Sequence, residues 1–198
     1  MKRSAAKRYR PTAVGRTTPQ ATGSHLETAI PVQAKPARYY LKPGELFAGE
    51  EAALVKTVLG SCVAVTMFSP RCQVGTLCHS MLPSCRNENP CVGGCQDGPR
   101  YVDCAIRRML EWFHTRGIGR DEIEVKVFGG SDMFAGPRDS EYKGIGRQNI
   151  DMALQTLEQE GLRLAASDVG GPRGRKIIFK SYSGEVFLKR LNRAEFKQ

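Results

Sequence analysis

Short apolar and β-branched runs, separated by glycine, proline and polar turns, predict a series of strands in the chain from about residue 38 onward. The predicted strands are RYYL (38–41), AALVKTV (52–58), CVAVTMF (62–68), QVGTLCHSML (73–82), EIEVKVF (122–128), LRLAAS (162–167), KIIFKSY (176–182) and EVFLKRL (185–191). The last two flank Ser183 and Gly184, a pair that favours a hairpin turn.

Two longer segments, 100–117 and 147–161, repeat their apolar residues at helical spacing instead. Glycine at the end of each segment supplies a C-terminal stop signal. The apolar positions are Val102, Ala105, Ile106, Met109, Leu110 and Phe113 in the first, and Ile150, Ala153, Leu154 and Leu157 in the second. Several strands, two helices and hairpin-like connections predict an α+β domain and argue against a doubly wound parallel sheet.

The N-terminal segment 1–37 differs from the rest in composition. It is rich in Pro, Thr and Ala, has no sustained apolar period, and carries seven Lys and Arg against one Glu. We therefore expect a disordered basic extension over residues 1–37 and a folded domain over 38–198. Most of the formal charge of +10 lies in this extension, so the charge gives no evidence that the folded part binds nucleic acid.

The overall composition of the 198 residues, with 40% hydrophobic and 25% charged residues, is typical of a soluble globular protein. The sequence shows neither an apolar run of roughly 18 residues nor the apolar segment of a secretory signal. These features predict a cytoplasmic protein without membrane insertion. An odd number of cysteines, seven, then predicts free thiols in a reducing compartment.

A structural zinc site is the alternative use of the later cysteines. Cys91 and Cys95 have the spacing of half a zinc site, and Cys85 and Cys104 would have to complete it. The sequence favours free thiols in a flexible loop over this arrangement, so we expect no metal.

Cys62 and His79 are the strongest candidates for chemistry. If Ser69 to Cys72 form a four-residue turn, antiparallel pairing places Cys62 directly opposite His79, with Cβ atoms roughly 4.5–5.5 Å apart. An imidazole at that distance can deprotonate a thiol, and the Gly60-Ser61 bend could present backbone N–H groups to an oxyanion. The alternative is structural: Cys62 as a small core residue and His79 as a satisfied polar neighbour.

The segment TVLGSCVAVTMF followed by HSMLP closely resembles the chemoreceptor glutamine deamidase family (CheD) of bacterial chemotaxis. The similarity continues through YVDCAI, KVFGGSDMF, IGRQNI and DVGGPRGRK, and so spans nearly all of residues 45–191. The resemblance implies a layered β-sandwich-like core of mixed or antiparallel strands with helices packed outside. It also maps the catalytic Cys and His of the family onto Cys62 and His79.

What the resemblance implies for activity is deamidation of glutamines in the cytoplasmic helices of methyl-accepting chemotaxis receptors. Cys62 would form a thioester and His79 would act as general base, without metal or organic cofactor. Some family members are also credited with receptor methylesterase activity. Thr57 is the candidate for a third group that orients the imidazole, although it could equally be an ordinary strand residue.

Other functions remain open at this point. Family members can bind and stimulate a CheC-class chemotaxis phosphatase, so the chain could act mainly as a non-enzymatic adaptor. Retention of both Cys62 and His79 favours an enzyme, because an adaptor needs neither. A basic nucleic-acid binder is poorly supported, since the folded part shows no aromatic-basic recognition motif. A monomer is the default oligomeric state.

Overall fold

The computed structural model describes residues 35–85, 97–132 and 144–192. Most of the predicted extension 1–37 therefore lies outside the described residues. In chain order the strands are β1 (Ala37–Tyr40), β2 (Leu46–Gly49), β3 (Ala53–Leu59), β4 (Val63–Ser69), β5 (Val74–Ser80), β6 (Glu124–Gly129), β7 (Leu164–Val169), β8 (Gly174–Lys180) and β9 (Val186–Leu191). The α-helices are α1 (Val102–His114) and α2 (Ile145–Gln159), and short 3-10 turns lie at Gly98–Arg100 and Arg120–Glu122.

The strands form two mixed sheets. A four-stranded sheet has the order β1-β3-β8-β9, and a five-stranded sheet has the order β2-β5-β4-β6-β7. Antiparallel pairing predominates, and the parallel pairs are β1 with β3 and β6 with β7. The predicted hairpin across Ser183 and Gly184 is confirmed as the β8–β9 connection.

Two hydrophobic clusters divide the domain into three layers. On one face of the five-stranded sheet, Val63, Val65 and Met67 of β4 pack with the apolar faces of α1 and α2. On the opposite face, Ala64 of β4 belongs to a cluster shared with the four-stranded sheet. The order is therefore helices, five-stranded sheet, four-stranded sheet, which confirms the predicted α+β layered sandwich with helices outside.

The burial pattern of each strand follows from its place in these layers. All seven residues of β4 are buried, because β4 is covered on both faces. In β3 buried and partly exposed residues alternate, because the outer face of the four-stranded sheet is not covered by another described element. The apolar positions predicted for the two helices are the ones that pack into the core, except for Leu154, which is exposed.

Strand β2 was not predicted from the sequence. It has only four residues, LFAG, and pairs with β5 at the edge of the five-stranded sheet. Its start fixes the backbone of His79, because Gly44 N–H donates to the His79 carbonyl at 2.7 Å and His79 N–H donates to the Glu45 carbonyl at 2.9 Å. None of the helices among the described residues is long and apolar enough to cross a membrane.

Candidate active site

His79 lies near the end of β5 and is 2% exposed. Its partner across the β4–β5 hairpin is Ala64, so the predicted pairing of Cys62 with His79 is wrong by two residues. The hairpin pairs Ser69 with Val74 and not with Cys72, so four residues, Pro70 to Gln73, lie between the paired ends instead of the two assumed from the sequence. A shift of two residues preserves the face of a strand, so the predicted face for His79 still holds: it is the face that looks toward the four-stranded sheet.

Thr57 of β3 holds the imidazole from the opposite sheet. Its Oγ1 lies 2.7 Å from His79 Nδ1 and donates a hydrogen bond of 2.8 Å to the Leu41 carbonyl. Because the single hydroxyl proton is used on Leu41, Oγ1 can only accept from Nδ1–H. His79 is therefore the neutral Nδ1–H tautomer, and the lone pair lies on Nε2.

The Nε2 atom of His79 is buried, and it has no hydrogen-bond partner among the residues that the structure describes. A buried imidazole nitrogen without a partner is unusual, because burial of an unpaired polar atom costs free energy. Burial also lowers the pKa of His79 to about 4. The ring is thus neutral at neutral pH, with its basic nitrogen available.

Cys62 lies in the short loop Gly60–Cys62 between β3 and β4, hereafter the cysteine loop. Its side chain is partly buried against the cluster between the two sheets, the cluster that also contains Ala64. Burial raises the pKa of the Cys62 thiol above its usual value. In the resting site the thiol and the imidazole are therefore both uncharged, so a base must remove the thiol proton as the reaction proceeds.

The carbonyl groups of the cysteine loop are all hydrogen-bonded to segments that follow β6. Ser131 donates to the Gly60 carbonyl through its N–H at 2.8 Å and its Oγ at 2.7 Å. Asn149 Nδ2 donates to the Ser61 carbonyl at 3.0 Å, and Gly130 N–H donates to the Cys62 carbonyl at 2.8 Å. These contacts fix the direction of the loop backbone.

The opposite side of the same backbone carries N–H groups. Among the described residues no backbone carbonyl accepts from the Ser61 N–H, and the Cys62 N–H faces the sulfur of its own residue. Two neighbouring backbone donors beside a nucleophile are what an oxyanion hole requires. The oxyanion hole expected from the Gly60-Ser61 bend stays a prediction.

The Gly129-Gly130 pair allows the end of β6 to approach the cysteine loop. A Cβ on Gly129 would lie 2.2 Å from the Cys62 carbonyl oxygen, and one on Gly130 would lie 2.4 Å from Ile150 of α2. Both glycines also have φ in the left-handed region, +104° and +64°. The close contacts of both glycines are with the protein itself.

Asp168, which is partly exposed, and the buried Arg175 form an ion pair between the two sheets. Arg175 of β8 is 4% exposed and donates from Nε to Asp168 Oδ1 at 2.7 Å. Its NH2 group donates to the Gly170 carbonyl at 2.6 Å, and the Gly171 carbonyl accepts from Asp132 N–H at 2.9 Å. This pair supports the glycine loop after β7 and has no contact with the reacting groups.

Other charged, histidine and cysteine residues contribute little to this site. Arg147 forms an exposed ion pair with Asp151 on α2, and His114 ends α1. Cys91 and Cys95, which the zinc alternative required, lie outside the described residues, as does His25. Within the described ranges no group of three or more His, Cys, Asp or Glu side chains could hold a metal ion.

Asn149 is the functional candidate for which sequence reasoning assigned no role. The sequence feature that could have identified Asn149 is its place in the core-facing stripe of α2, between the buried Gly146 and Ala153. A polar residue in an apolar helical stripe usually has a specific hydrogen-bonding partner.

The fold and this site together define a class of protein: a layered α+β sandwich with a candidate cysteine-histidine site between its sheets. The chain belongs to the CheD family. The family model described as CheD chemotactic sensory transduction matches residues 81–190, more than half of the chain. This match confirms the resemblance seen in the sequence.

Curated relatives agree with the family model over most of the chain. A probable chemoreceptor glutamine deamidase CheD 2 of Geobacter sulfurreducens is 49% identical over 156 residues, covering 79% of this chain and 91% of the relative. A probable chemoreceptor glutamine deamidase CheD of Maridesulfovibrio salexigens is 43% identical over 166 residues, covering 80% and 95%. A Chromobacterium violaceum relative, named as a probable chemoreceptor glutamine deamidase CheD 1, is 31% identical over 182 residues, covering 91% and 92%.

Proposed function

We propose that this protein deamidates glutamine side chains of chemotaxis receptors, with Cys62 as nucleophile and His79 as general base and acid. The names of the relatives and the family match support the activity. The observation that carries the assignment of residues is the buried His79 ring. Its Nδ1 is held by Thr57, and its Nε2 is unpartnered among the described residues, on the sheet face against which Cys62 packs.

In the first half of the reaction, His79 Nε2 takes the thiol proton of Cys62, and the sulfur attacks the carboxamide carbon of glutamine. The negative charge moves to the carbonyl oxygen, where the N–H groups of Ser61 and Cys62 can donate to it. The imidazolium then returns the proton to the departing nitrogen. The C–N bond breaks, ammonia leaves, and a thioester joins the substrate to Cys62.

In the second half, water takes the place of ammonia. His79 Nε2 removes a proton from the water, the resulting hydroxide attacks the thioester carbon, and the C–S bond breaks. The products are glutamate and the free thiol of Cys62, so each group returns to its starting state. The imidazolium returns its proton to the departing Cys62 sulfur, the new carboxylic acid gives its proton to the released ammonia or to solvent, and no cofactor takes part in the scheme.

Thr57 acts in this scheme through the imidazole. By accepting from Nδ1–H it fixes the tautomer that leaves Nε2 free, and it stabilises the imidazolium that forms during attack. Because its own proton is held by the Leu41 carbonyl, Thr57 cannot rotate to donate to Nδ1. An ordinary strand residue would need neither of these two hydrogen bonds, so they favour a role for Thr57 in orienting the imidazole.

The proposed substrate is the cytoplasmic helical part of methyl-accepting receptors, and the proposed setting is a cytoplasmic monomer. Mass spectrometry of such a receptor fragment, incubated with the protein, tests the activity. We expect site-specific conversion of glutamine to glutamate by the wild type, and none by Cys62→Ala or His79→Ala. If a well-folded wild type converted no glutamine in a panel of cognate fragments, the deamidase proposal would be rejected. Binding to a CheC-class phosphatase would then become the leading function.

A further inference from the structure

Asn149 connects the two chain segments that carry the candidate catalytic residues. Its Nδ2 donates to the Ser61 carbonyl and to the Met81 carbonyl, both at 3.0 Å. Ser61 directly precedes Cys62, and Met81 follows His79 by two residues. One side chain on α2 therefore holds the backbone on both sides of the site, although α2 itself packs on the helix-covered face of the five-stranded sheet.

The ladder between β4 and β5 ends before it reaches these segments. Its last pair is Val63 with Ser80, so the cysteine loop and Met81 both lie beyond the strand pairing. Met81 N–H turns away from the cysteine loop and donates to the Arg100 carbonyl at 2.9 Å. Among the described residues, the Asn149 amide makes the only recorded hydrogen bonds that join the cysteine loop to the chain just after β5.

A structural position on α2 would not by itself require asparagine. Asn149 is fully buried next to Ile150 and Ala153, where an apolar side chain would avoid the cost of burying an amide. That cost is only partly offset, because Oδ1 of Asn149 is buried without a partner among the described residues. Both N–H groups of the amide are used, and each reaches a different chain segment.

We propose that Asn149 is a positioning residue that sets the placement of the Cys62 thiol relative to the His79 imidazole. This inference rests on the proposed function, since it assumes that the two side chains act together. Removing the amide would leave the Ser61 and Met81 carbonyls unpaired and free the two segments to move apart. A displacement of about 1 Å between reacting groups can lower a rate roughly 10²-fold.

The test measures how strongly Cys62 depends on His79, using alkylation of Cys62 by iodoacetamide at neutral pH, followed by peptide mass spectrometry. His79→Gln is introduced into the wild type, Asn149→Ala and Asn149→Asp. Aspartate keeps the shape of asparagine but loses the two-donor amide: ionised it donates to neither carbonyl, and protonated it donates to only one, so the two segments are no longer joined. It therefore separates the loss of donation from the loss of volume, and it is the second variant if alanine prevents folding.

Thr156→Val is the matched control. Thr156 lies on the same helix and is also fully buried, but its hydroxyl contacts only Met152 Sδ, at 3.6 Å, among the recorded hydrogen bonds. This variant carries the cost of changing a buried polar residue on α2 without touching the cysteine loop. Circular dichroism and urea unfolding establish that each variant is folded before alkylation is measured.

In the wild type and in Thr156→Val, we expect His79→Gln to slow Cys62 alkylation by at least about tenfold, because the variant has no base to take the thiol proton as the sulfur attacks. In the Asn149 variants the same change should alter the rate by less than about twofold, because the two residues are no longer coupled. Deamidation by the Asn149 variants should show a kcat reduced roughly 10²-fold with little change in KM.

Persistence of the full His79 effect in a folded Asn149 variant would overturn the positioning role and leave the proposed function intact. Absence of any His79 effect in the wild type would overturn the cysteine-histidine pair itself, and the positioning role with it. Receptor deamidation that is unchanged in Asn149→Asp would also contradict the inference. These results are distinguishable because alkylation requires no receptor.

Discussion

Cys62 and Cys78 pack against opposite faces of the five-stranded sheet. Cys78 is adjacent to His79 in the sequence, but successive residues of a strand point to opposite faces, and its side chain is buried on the helix side. Burial there raises the pKa of Cys78 to about 11. Cys62 is far from His79 in sequence, yet it packs on the face from which His79 projects, at a loop that is only partly buried.

The two faces of the five-stranded sheet therefore provide different chemical environments. The helix-covered face is a closed apolar layer, in which a thiol behaves as a small hydrophobic group. The face between the sheets is also apolar for most of its length but ends in the polar group of Thr57, His79 and the cysteine loop. Cys78 is adjacent to His79 in the sequence, but strand alternation places its thiol on the face opposite to the His79 ring, so the two side chains cannot react together.

The largest predicted effect is the contrast between Cys62→Ala and Cys78→Ala. Cys62→Ala should reduce receptor deamidation to the background rate, since no other group can form the thioester. Cys78→Ala should retain activity and lower the free energy of unfolding by about 1 kcal/mol, because it removes one buried sulfur from the core. Urea unfolding and deamidation rates are measured on both variants. Loss of activity in folded Cys78→Ala would contradict the claim that Cys78 takes no part in the reaction.

The second effect concerns the base. His79→Gln keeps a polar side chain of similar length but has no titratable nitrogen, so we expect kcat for deamidation to fall roughly 10²- to 10⁴-fold. The measurement is steady-state kinetics with a receptor fragment, and the matched control is His114→Gln, at the exposed end of α1. Equal effects of the two substitutions would show that His79 has no special part.

A smaller effect is expected for Thr57→Val, which keeps the shape of threonine but leaves His79 Nδ1 without its acceptor. A lost hydrogen bond worth about 1 to 2 kcal/mol corresponds to roughly tenfold or somewhat more in kcat. Thr57→Ser retains the hydroxyl and should stay within about threefold of the wild type on the same grounds. If both variants were equally impaired, the effect would come from packing on β3 and not from the hydrogen bond.

The effect with no expected consequence for activity at neutral pH is a pH dependence of stability caused by burial of His79. The unfolded chain takes up a proton near the ordinary histidine pKa, 6.5, whereas the folded chain does so only at about 4. Stability from this residue is therefore complete above pH 6.5 and is lost as the pH falls toward 4, by on the order of 3 kcal/mol. Urea unfolding of the wild type and His79→Gln between pH 4 and 7 measures the difference. Parallel curves for the two proteins would contradict it.

The sequence predicted most strands and both helices from their apolar periods, and the layer arrangement was an expectation from the family resemblance. It missed β2, since LFAG is too short for a period to show. It also misplaced the β4–β5 register. The turn contains Gln73 in a left-handed conformation, with a φ of +53°, and a glutamine in the sequence does not predict that conformation. The prediction that Cys62 and His79 lie on the same face remained correct only because the register error was an even number of residues.

The candidate site was only partly visible in the sequence for a different reason. Cys62 and His79 were found through strand pairing and resemblance, and Thr57 through resemblance alone. The hydrogen bond from His79 to Thr57 crosses between two sheets, and the bonds from Asn149 cross from a helix to two loops. Contacts of this kind depend on how the layers are stacked, which no local pattern specifies.

Trapping the covalent intermediate tests the central claim most directly. The wild type is mixed with a receptor peptide that it deamidates, quenched in acid within one turnover, and digested for mass spectrometry. The account predicts an adduct on Cys62 with the mass of the peptide less one ammonia, which hydroxylamine removes, and no such adduct on Cys78. Deamidation that proceeds at the wild-type rate in Cys62→Ser, or an adduct on another residue, would contradict it.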